Sequence, residues 1–392
     1  MKISNLKIYK FNVPTGSELR DPHTGQLISS PNKPWLFLKI ETDGGIDGWG
    51  EGSGEWLIDS VEATLHSWTP LLVDRDPLLV SALTDDIQDR LPWKGGPVFG
   101  TALAAINIAL YDIAGKAWGV PVHTILGGKR RDKILVYSGG SFATPEDAAR
   151  DAAKLKERGY TAIKGNPLET RRRPMDDAAV TQSVECVAAI REAVGTEFDI
   201  MLDAHGSPQP ELSIEFARRA APYRPLFLEE PVKVGSVEAL LEVSRKSPIP
   251  VATGEKLFTL RDFLPLIELR ACAFLQPDVG HCGGITTLMQ ISANAELKQM
   301  LMAPHLGVGS IFYAASLQAD AAMNNFLIQE THGLENFDRY LDHDLTVKDG
   351  YVNVSDRPGL GIEVKEADIA KLPCDPMAFR QYRHEDGSWK GW

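Results

Sequence analysis

The sequence predicts an α/β protein: a TIM-type barrel of the modified (β/α)7β form with an α+β capping domain at its N-terminus. Three observations predict it. Eight short apolar runs alternate with helical patterns after about residue 134, the first third has the pattern of an antiparallel meander followed by helices, and no regular helical pattern follows the eighth run. Repeated strand–helix units imply parallel strands, and eight of them match a closed barrel.

The first 125 residues are predicted to form the capping domain. Strand-like alternation in residues 2–13, 35–45 and 46–52 predicts the meander, and helical patterns follow over about 60–90 and 101–118. The polar segment 16–34 between the first two strands contains several Pro and Gly residues, and loops of that length often cover binding sites. We therefore expect a lid loop in this segment.

The barrel is predicted over residues 126–355, and residues 356–392 are predicted to be a tail that returns to the capping domain. The eight strand candidates are residues 134–138, 160–166, 198–206, 225–231, 249–255, 273–278, 300–305 and 326–330. Thr144 precedes a helical stretch in the N-cap position, with an acid three residues later. A doubly wound open sheet is the alternative, and it is disfavoured because no glycine-rich phosphate fingerprint follows the first strand.

Composition excludes several classes of function. The chain of 392 residues carries a net charge of −12 and has no basic tract beyond Arg171–Arg173, so nucleic acid is not an expected partner. No uninterrupted apolar run reaches the roughly 18 residues that span a bilayer, and the first residues do not resemble a signal peptide, so no membrane association is expected. The four cysteines show neither paired nor metal-knuckle spacing, which indicates reduced thiols in the cytoplasm.

The last six strand candidates each end near a residue suited to catalysis or metal binding. These residues recur every 23 to 27 positions, about one βα unit each time: Asp203, Glu229, Glu255, Asp278, His305 and Glu330. The carboxyl ends of barrel strands share one face, and that face carries the active site in barrel enzymes. The series therefore predicts a single site. Because alternate residues of a strand share a face, Asp203 and His205 are expected to point the same way.

Three of these acids predict a metal site. Asp203, Glu229 and Glu255 belong to three neighbouring strands about 4.8 Å apart, so their carboxylates can converge. Ionised carboxylates at such short distances raise one another's pKa unless a cation neutralises them. An all-carboxylate set favours a hard ion, Mg²⁺ before Mn²⁺ or Ca²⁺. Salt bridges from the three acids to Lys or Arg are the alternative.

Two histidines predict acid–base chemistry. Strands three and seven of a closed eight-stranded barrel lie opposite each other, so His205 and His305 would flank a ligand above the metal. One imidazole can act as base and the other as acid, which suits anti elimination. Asp278 comes one strand before His305 and can orient its imidazole. Structural roles for the histidines, and metal ligation by His205, are the alternatives.

Other polar residues lie at the predicted rim of the site. Lys164 and Asn166 end the second run and are candidates to bind substrate, although Lys164 could instead pair with a metal acid. Glu330 could hydrogen-bond a substrate carboxylate or orient a neighbouring lysine or histidine. Arg171–Arg173 predict a solvated loop, with contact to the far end of a doubly charged substrate as the second reading.

Several motifs resemble those of the enolase superfamily. Ala109–Gly128 is similar to the main helix and helix exit of its capping domain, and Gln276–Asp278 with His305 resembles its mandelate racemase subgroup. Within that subgroup the chain most resembles acid-sugar dehydratases of the D-galactonate dehydratase type, which share the motifs at Lys164–Asn166, Asp203–Gly206, Glu229–Pro231 and His281–Thr286. The resemblance covers nearly the whole chain.

The resemblance implies a mechanism and a set of partners. Asp203, Glu229 and Glu255 would hold one Mg²⁺ per subunit, with Mn²⁺ as a substitute. His305, supported by Asp278, would remove the proton next to the substrate carboxylate. His205 would protonate the departing hydroxyl, and the product would be a 2-keto-3-deoxy sugar acid. The implied protein is a homo-oligomer that acts on a small anionic sugar acid, and the cysteine pattern places it in the cytoplasm.

Two departures from the family pattern leave alternatives open. Asn166 stands where many racemases and cycloisomerases of the superfamily have a second lysine base, which favours elimination over a racemase or epimerase that uses His205. The segments 167–173 and 16–34 differ from the typical galactonate dehydratase, so galactonate is the first substrate candidate and a diacid such as galactarate the second. A non-catalytic sugar-acid sensor is a further hypothesis, and the complete set of metal, base and acid candidates argues against it.

Overall fold

The computed structural model describes residues 1–14, 19–20, 27–54, 56–168, 177–307, 309–331 and 334–375. Its N-terminal elements are β1 (Ile3–Pro14), β2 (Leu19–Arg20), β3 (Leu27–Ser29), β4 (Asn32–Thr42), β5 (Gly48–Glu51), α1 (Ile58–Leu72), α2 (Val80–Arg90), α3 (Gly96–Trp118) and α4 (Val122–Ile125). Strands β1, β4 and β5 form the antiparallel meander that the sequence predicts. In its register Tyr9 pairs with Phe37, and Phe37 pairs with Glu51.

Helix α3 packs directly against this sheet. A Cβ atom at Gly48 or Gly50 would overlap the α3 carbonyl oxygens of Ala109 or Ala105, so glycine permits the close approach. By length and composition α3 could span a membrane, which was not expected because its apolar residues are interrupted by polar ones. In the fold, 89% of its most apolar window is buried. The apolar surface of α3 is therefore covered by the protein itself.

Two helix boundaries differ from the prediction. The helix predicted over 60–90 is two helices, because the chain turns between α1 and α2. Asp74 there has a left-handed backbone with φ of 66°, and Pro77 lacks the amide hydrogen that a continuous helix would need. Helix α3 begins at Gly96 rather than near Thr101, with Pro97 in its first turn, where a missing amide hydrogen is tolerated.

Eight parallel strands and seven helices alternate in the part of the barrel that the structure describes. The strands are β6 (Lys133–Gly139), β7 (Ala162–Gly165), β8 (Asp199–Asp203), β9 (Phe227–Glu229), β10 (Val251–Thr253), β11 (Phe274–Leu275), β12 (Leu301–Met302) and β13 (Gln329–Glu330). The helices are α5 (Pro145–Glu157), α6 (Asp177–Val194), α7 (Pro210–Ala220), α8 (Val237–Lys246), α9 (Leu260–Leu269), α10 (Ile285–Glu296) and α11 (Ser310–Ala322). As predicted, the Thr144 side chain accepts a hydrogen bond from the Asp147 amide and caps α5.

The strands close into a ring. Strands β6 to β12 pair in chain order, and β13 pairs with β6 in parallel. A bridge between Met302 and Phe326 joins β12 to the chain that leads into β13. The segment after β13 is a 3-10 helix (Leu334–Arg339), so in the described residues no α-helix follows β13 in the position that the seven other helices take after their strands. The predicted (β/α)7β barrel with an N-terminal capping domain is confirmed.

Side chains from most of the strands, or from residues next to them, fill the barrel interior. This buried cluster consists of Tyr137, Ala162, Met201, Phe227, Ala252, Ala303 and Ile328. Phe227 also contacts Phe274, with ring centroids 5.7 Å apart. Alternate residues of each strand point inward, so the core blocks the barrel below its carboxyl ends. The barrel interior itself is therefore filled, and it leaves room for a ligand only above those ends.

The described C-terminal residues return to the capping domain. Their elements are β14 (Leu341–Asp342), β15 (Val347–Lys348), β16 (Tyr351–Asn353), β17 (Glu363–Val364) and α12 (Glu366–Ile369). The Asn12 amide donates to the Pro373 carbonyl at 2.8 Å, and Tyr340 packs on Phe11 with ring centroids 5.4 Å apart. The Tyr9 hydroxyl also hydrogen-bonds Glu366. The domain limits at residues 125 and 355 stay predictions.

Candidate active site

The six residues of the predicted series lie at the same end of the barrel. Asp203, Glu229 and Glu330 are the last residues of β8, β9 and β13. The other three follow their strands closely: Glu255, Asp278 and His305. Asp278 and His305 still pair through an isolated parallel bridge. The regular spacing in the sequence thus corresponds to one face of the barrel, as expected.

A cavity of about 610 Å³ opens over this end of the barrel. Its wall combines barrel residues with residues of the capping domain, which include Trp56, Leu57 and Thr101. The barrel side of the wall includes Lys164, Asn166, Asp203, His205, Glu255, His305 and Glu330. Polar groups of the barrel and a mainly apolar cap therefore face each other across the space that a ligand would fill.

The carboxylates of Asp203, Glu229 and Glu255 form a compact cluster. Their ligand oxygens lie within 4.8 Å of one another, and each residue is at most 8% exposed. Glu229 Oε2 is buried and has no hydrogen-bond partner among the described residues. A cluster of buried carboxylate oxygens with a free acceptor could hold a metal ion, and such a donor set suits hard cations.

The protonation of this cluster reflects its crowding. Burial raises the pKa of Glu229 well above its usual range, and the charge of Asp203 raises it further. For Glu255, the effect of burial is outweighed by the positive charges of His305 and Lys256, so its pKa falls to about 2. A divalent cation bound by the three acids would supply positive charge where burial and mutual repulsion disfavour the ionised carboxylates.

Lys164 pairs with the carboxylate cluster. Its Nζ lies 2.9 Å from Glu229 Oε1, 3.1 Å from Glu330 Oε1 and 3.4 Å from Asp203 Oδ2. Although burial opposes its charge, the carboxylates of Glu229 and Glu330 raise the pKa of Lys164 well above its usual range. Lys164 is therefore a cation that partly neutralises Glu229, Glu330 and Asp203. It also lines the cavity.

His305 and Asp278 form a hydrogen-bonded pair. His305 Nδ1 lies 2.8 Å from Asp278 Oδ2, and the other imidazole nitrogen, Nε2, lies 3.3 Å from Glu255 Oε2. The backbone amides of Gly280 and Gly307 donate to Asp278 at 2.7 and 2.9 Å and hold its carboxylate in place. Burial opposes protonation of His305, but Glu255 and Asp278 outweigh it and raise its pKa to about 10.

His205 reaches the site by a route that the sequence does not predict. Strand β8 ends at Asp203, and His205 has a left-handed backbone with φ of 49°, so the two residues do not alternate along one strand. The turn nevertheless brings His205 Nε2 to 2.9 Å from Asp203 Oδ2. Asn166 Nδ2 lies 3.3 Å from His205 Nδ1. Burial opposes protonation of His205, but the hydrogen bond to Asp203 outweighs it and raises its pKa.

Glu330 contacts residues on both sides of the site. Besides its ion pair with Lys164, its Oε2 accepts the backbone amide of Leu306 at 3.2 Å and lies 3.9 Å from His305 Nε2. Of the two readings offered by the sequence, these contacts correspond to the orientation of a neighbouring lysine and histidine. The side chain also lines the cavity, so contact with a ligand stays open.

Sequence analysis missed three contributors to the site. Lys256 lines the cavity, donates to Glu255 Oε1 at 2.9 Å and pairs with buried Glu230, whose backbone is left-handed. His281 lines the cavity beside His305, with ring centroids 6.4 Å apart. Trp56 comes from the capping domain. Their side-chain directions depend on loop conformation, for which strand periodicity gives no signal. The sequence offered two clues: the charge of Lys256 next to Glu255, and the place of His281 at the start of the motif His281–Thr286.

Two predicted features lie outside the described residues. Arg171–Arg173 fall in the segment 169–176, and nine of the 19 residues of the predicted lid, 16–18 and 21–26, also lie outside the described residues. Their predicted roles stay predictions.

The fold and the site define an enolase-type barrel enzyme, and comparison with known proteins identifies the family. Residues 7–127 match the mandelate racemase/muconate lactonizing enzyme N-terminal domain, and residues 147–368 match the enolase C-terminal domain-like family. The chain belongs to the mandelate racemase/muconate lactonizing enzyme group of the enolase superfamily.

Curated relatives and solved structures agree with this placement. D-galactonate dehydratase of Variovorax paradoxus is 36% identical over 91% of this chain and 96% of the relative, and that of Pectobacterium atrosepticum is 35% identical with the same coverage. A mandelate racemase/muconate lactonizing enzyme-like protein from Roseovarius shares the fold with a TM-score of 0.86 at 28% identity, with 100% of both chains covered. A member of the enolase superfamily from Salmonella Typhimurium gives a TM-score of 0.82 at 28% identity, covering 94% of this chain and 99% of that one.

Proposed function

We propose that this protein is a Mg²⁺-dependent acid-sugar dehydratase that converts a sugar acid to a 2-keto-3-deoxy acid and water. One observation supports the proposal most directly. His305 turns Nδ1 to Asp278 and Nε2 towards the carboxylate cluster, while His205 lines the same cavity. The His305 imidazole, hydrogen-bonded to Asp278, and the His205 imidazole thus lie on one cavity beside one candidate metal site.

The residues present fit the proposed metal. Asp203, Glu229 and Glu255 offer only oxygen ligands, and the buried Oε2 of Glu229 lacks another partner among the described residues. We propose one Mg²⁺ per subunit, with Mn²⁺ able to substitute. When bound, the ion stabilises the negative charge that develops on the substrate carboxylate after proton removal.

His305 is the proposed base. It accepts the proton from the carbon next to the substrate carboxylate at Nε2, because Nδ1 is held by Asp278. Only the neutral imidazole can accept that proton. Since the carboxylates are what raise the pKa of His305, their neutralisation by a cation favours the neutral, active form.

His205 is the proposed acid. It donates a proton to the hydroxyl on the next carbon, the carbon–oxygen bond breaks, and water leaves. The enol that results takes up a proton at carbon three, loses the proton of its carbon-two hydroxyl and so becomes the 2-keto-3-deoxy acid. The hydrogen bond to Asp203 raises the pKa of His205, which favours the protonated form that an acid needs. With Asn166 in place of a second lysine, elimination is favoured over proton exchange from both sides.

Lys164, Asn166 and Glu330 are proposed to contact the substrate. All three line the cavity next to the carboxylate cluster. Lys164 supplies positive charge for the substrate carboxylate, and Asn166 and Glu330 supply hydrogen-bonding groups. These contacts would hold the carbon acid between the two imidazoles.

A six-carbon aldonate such as galactonate is the proposed substrate, with a diacid such as galactarate as the alternative. The support comes from the two relatives named D-galactonate dehydratase, which match nearly the whole chain. We also propose a homo-oligomer in the cytoplasm; sedimentation of the purified protein and cell fractionation would test these two points.

Proton NMR in D₂O tests the reaction and the substrate together. The protein with Mg²⁺ is incubated with a panel of aldonates and aldarates. We expect a 2-keto-3-deoxy product from at least one of them. Loss of the α-proton signal without elimination would instead indicate a racemase or epimerase, and silence across the panel would refute the acid-sugar assignment.

Substitution of each histidine tests which imidazole acts as the base and which as the acid. His305→Asn should abolish both α-proton exchange and elimination, whereas His205→Asn should retain exchange and lose elimination. His66→Asn removes an exposed histidine of α1 and is the matched control. If His205→Asn eliminated water as fast as the parent, the proposed acid would be wrong.

A further inference from the structure

A second cluster of metal-binding groups lies on the far side of the His305 ring from the carboxylates. Asp278, His281 and His305 have ligand atoms within 4.8 Å of one another. His305 Nε2 faces Glu255, whereas Nδ1 faces Asp278, which His281 Nδ1 also approaches at 3.9 Å. The two clusters therefore lie next to opposite nitrogens of the His305 imidazole.

The chemistry of the second cluster differs from that of the first. Three carboxylates favour hard ions such as Mg²⁺, whereas two imidazoles and one carboxylate favour borderline ions such as Zn²⁺. Ligands of a tetrahedral Zn²⁺ lie about 3.3 Å apart, since each bond is about 2.0 Å long. The distances to Asp278 Oδ2, 2.8 Å from His305 and 3.9 Å from His281, bracket this value.

The surrounding backbone holds the three side chains together. Gly307 lies between them: a Cβ there would be 3.0 Å from His305 Cε1, 3.7 Å from His281 Cε1 and 3.7 Å from Asp278 Oδ2. The His281 carbonyl packs against Gly100 of α3, where any side chain would overlap it. The capping helix thus fixes the loop that carries His281, and His281, His305 and Gly307 line the cavity, from which a cation can reach the cluster.

We propose that Asp278, His281 and His305 form an inhibitory site for Zn²⁺ or a similar borderline divalent cation, separate from the three-carboxylate site. The cation takes the place of the hydrogen between His305 Nδ1 and Asp278 Oδ2. An imidazole that ligates through Nδ1 carries its hydrogen on Nε2, the nitrogen that faces the cavity. Nε2 then has no lone pair to accept a substrate proton, so the bound cation blocks the base.

Direct measurement of zinc binding tests the site without relying on the proposed activity. Only the inhibitory effect rests on the proposed function. Zinc binding to the full-length protein is measured by calorimetry in the presence of excess Mg²⁺, so that the carboxylate site is occupied. We expect one Zn²⁺ per chain, with affinity lowered at least about tenfold by His281→Asn. His281→Gln is the second variant, in case the first does not fold. His66→Asn, which changes an exposed histidine, should bind as the parent does.

Inhibition supplies the second readout. With a substrate that the protein turns over, we expect Zn²⁺ to inhibit the reaction, and excess Mg²⁺ should not relieve this inhibition. His281→Asn should raise the inhibitory zinc concentration by the same factor by which it raises the dissociation constant for zinc. Absence of zinc binding in excess Mg²⁺ would overturn the proposal. So would zinc binding that both His281 variants leave unchanged, because the ion would then occupy another site.

Discussion

The carboxylate of Glu51 accepts a hydrogen bond from the backbone amide of Ile311 at 3.0 Å, which joins the capping domain to the barrel. The same oxygen accepts the Phe312 amide at 3.1 Å, so Glu51 caps the first turn of α11. Helix α11 follows the loop that carries His305, and Gly309 in that loop has no room for a side chain next to Glu51. A buried acid of the cap therefore fixes the start of the helix behind the proposed base.

Glu51 should make stability depend on pH. Burial, with a contribution from Asp278, raises its pKa to about 7. Because the folded pKa lies above the unfolded value, the stabilisation is complete below about pH 4.5 and is lost as pH rises to about 7, by about 3 kcal/mol in all. Glu51→Gln removes this titration. We expect the difference in thermal midpoint, variant minus parent, to increase between these pH values; a constant difference would contradict the prediction.

Asp278→Asn should slow the reaction strongly. Asp278 holds His305 through Nδ1, and an amide at this position can no longer stabilise the charged imidazole or enforce its orientation. We expect kcat to fall about 10²- to 10⁴-fold, with a smaller change in KM. Exchange of the α-proton in D₂O, followed by NMR, measures the step directly. Asp85→Asn, an exposed acid of α2, is the control; an equal effect of both variants would refute the role.

Lys164→Met should destabilise the metal-free protein more than the metal-loaded one. Lys164 is 6% exposed and neutralises Glu229, Glu330 and Asp203, and breaking such buried pairs costs about 3–5 kcal/mol. Mg²⁺ bound to the same carboxylates should restore part of the loss. Thermal unfolding with and without Mg²⁺ measures both effects. Lys154→Met on the surface of α5 should show neither, and a Lys164 variant that Mg²⁺ does not stabilise would count against the shared site.

The parts of this site that the sequence predicted follow from periodicity. Repeating βα units fix which residues end consecutive strands, so the positions of Asp203, Glu229 and Glu330 could be inferred from spacing alone. The same spacing placed Glu255, Asp278 and His305 on the right face even though their strands end earlier. All strands of a closed parallel barrel run in the same direction, so their carboxyl ends, and the residues just after them, lie at the same face.

The parts that the sequence did not predict depend on backbone conformations set by packing. Glu230 has a left-handed backbone, with φ of 40°, and forms a buried pair with Lys256 that no alternation rule anticipates. His281 faces the cavity because its loop is held against Gly100 of the cap, a contact between residues far apart in the chain. The break between α1 and α2 likewise reflects a local turn rather than a change in apolar pattern.

Asn166→Ala should separate the two halves of the proposed reaction. Asn166 Nδ2 contacts His205 Nδ1, and Asn166 Oδ1 accepts the Leu168 amide at 3.0 Å, so the side chain links the proposed acid to the backbone. Without it, His205 should lose its orientation while His305 keeps its own. We expect elimination to slow by up to about 100-fold, while α-proton exchange changes little. The ratio of deuterium incorporation to product formation in D₂O measures the effect. Asn5→Ala, an exposed residue of β1, is the control. Equal loss of exchange and elimination in the Asn166 variant would mean that Asn166 acts on substrate binding rather than on His205.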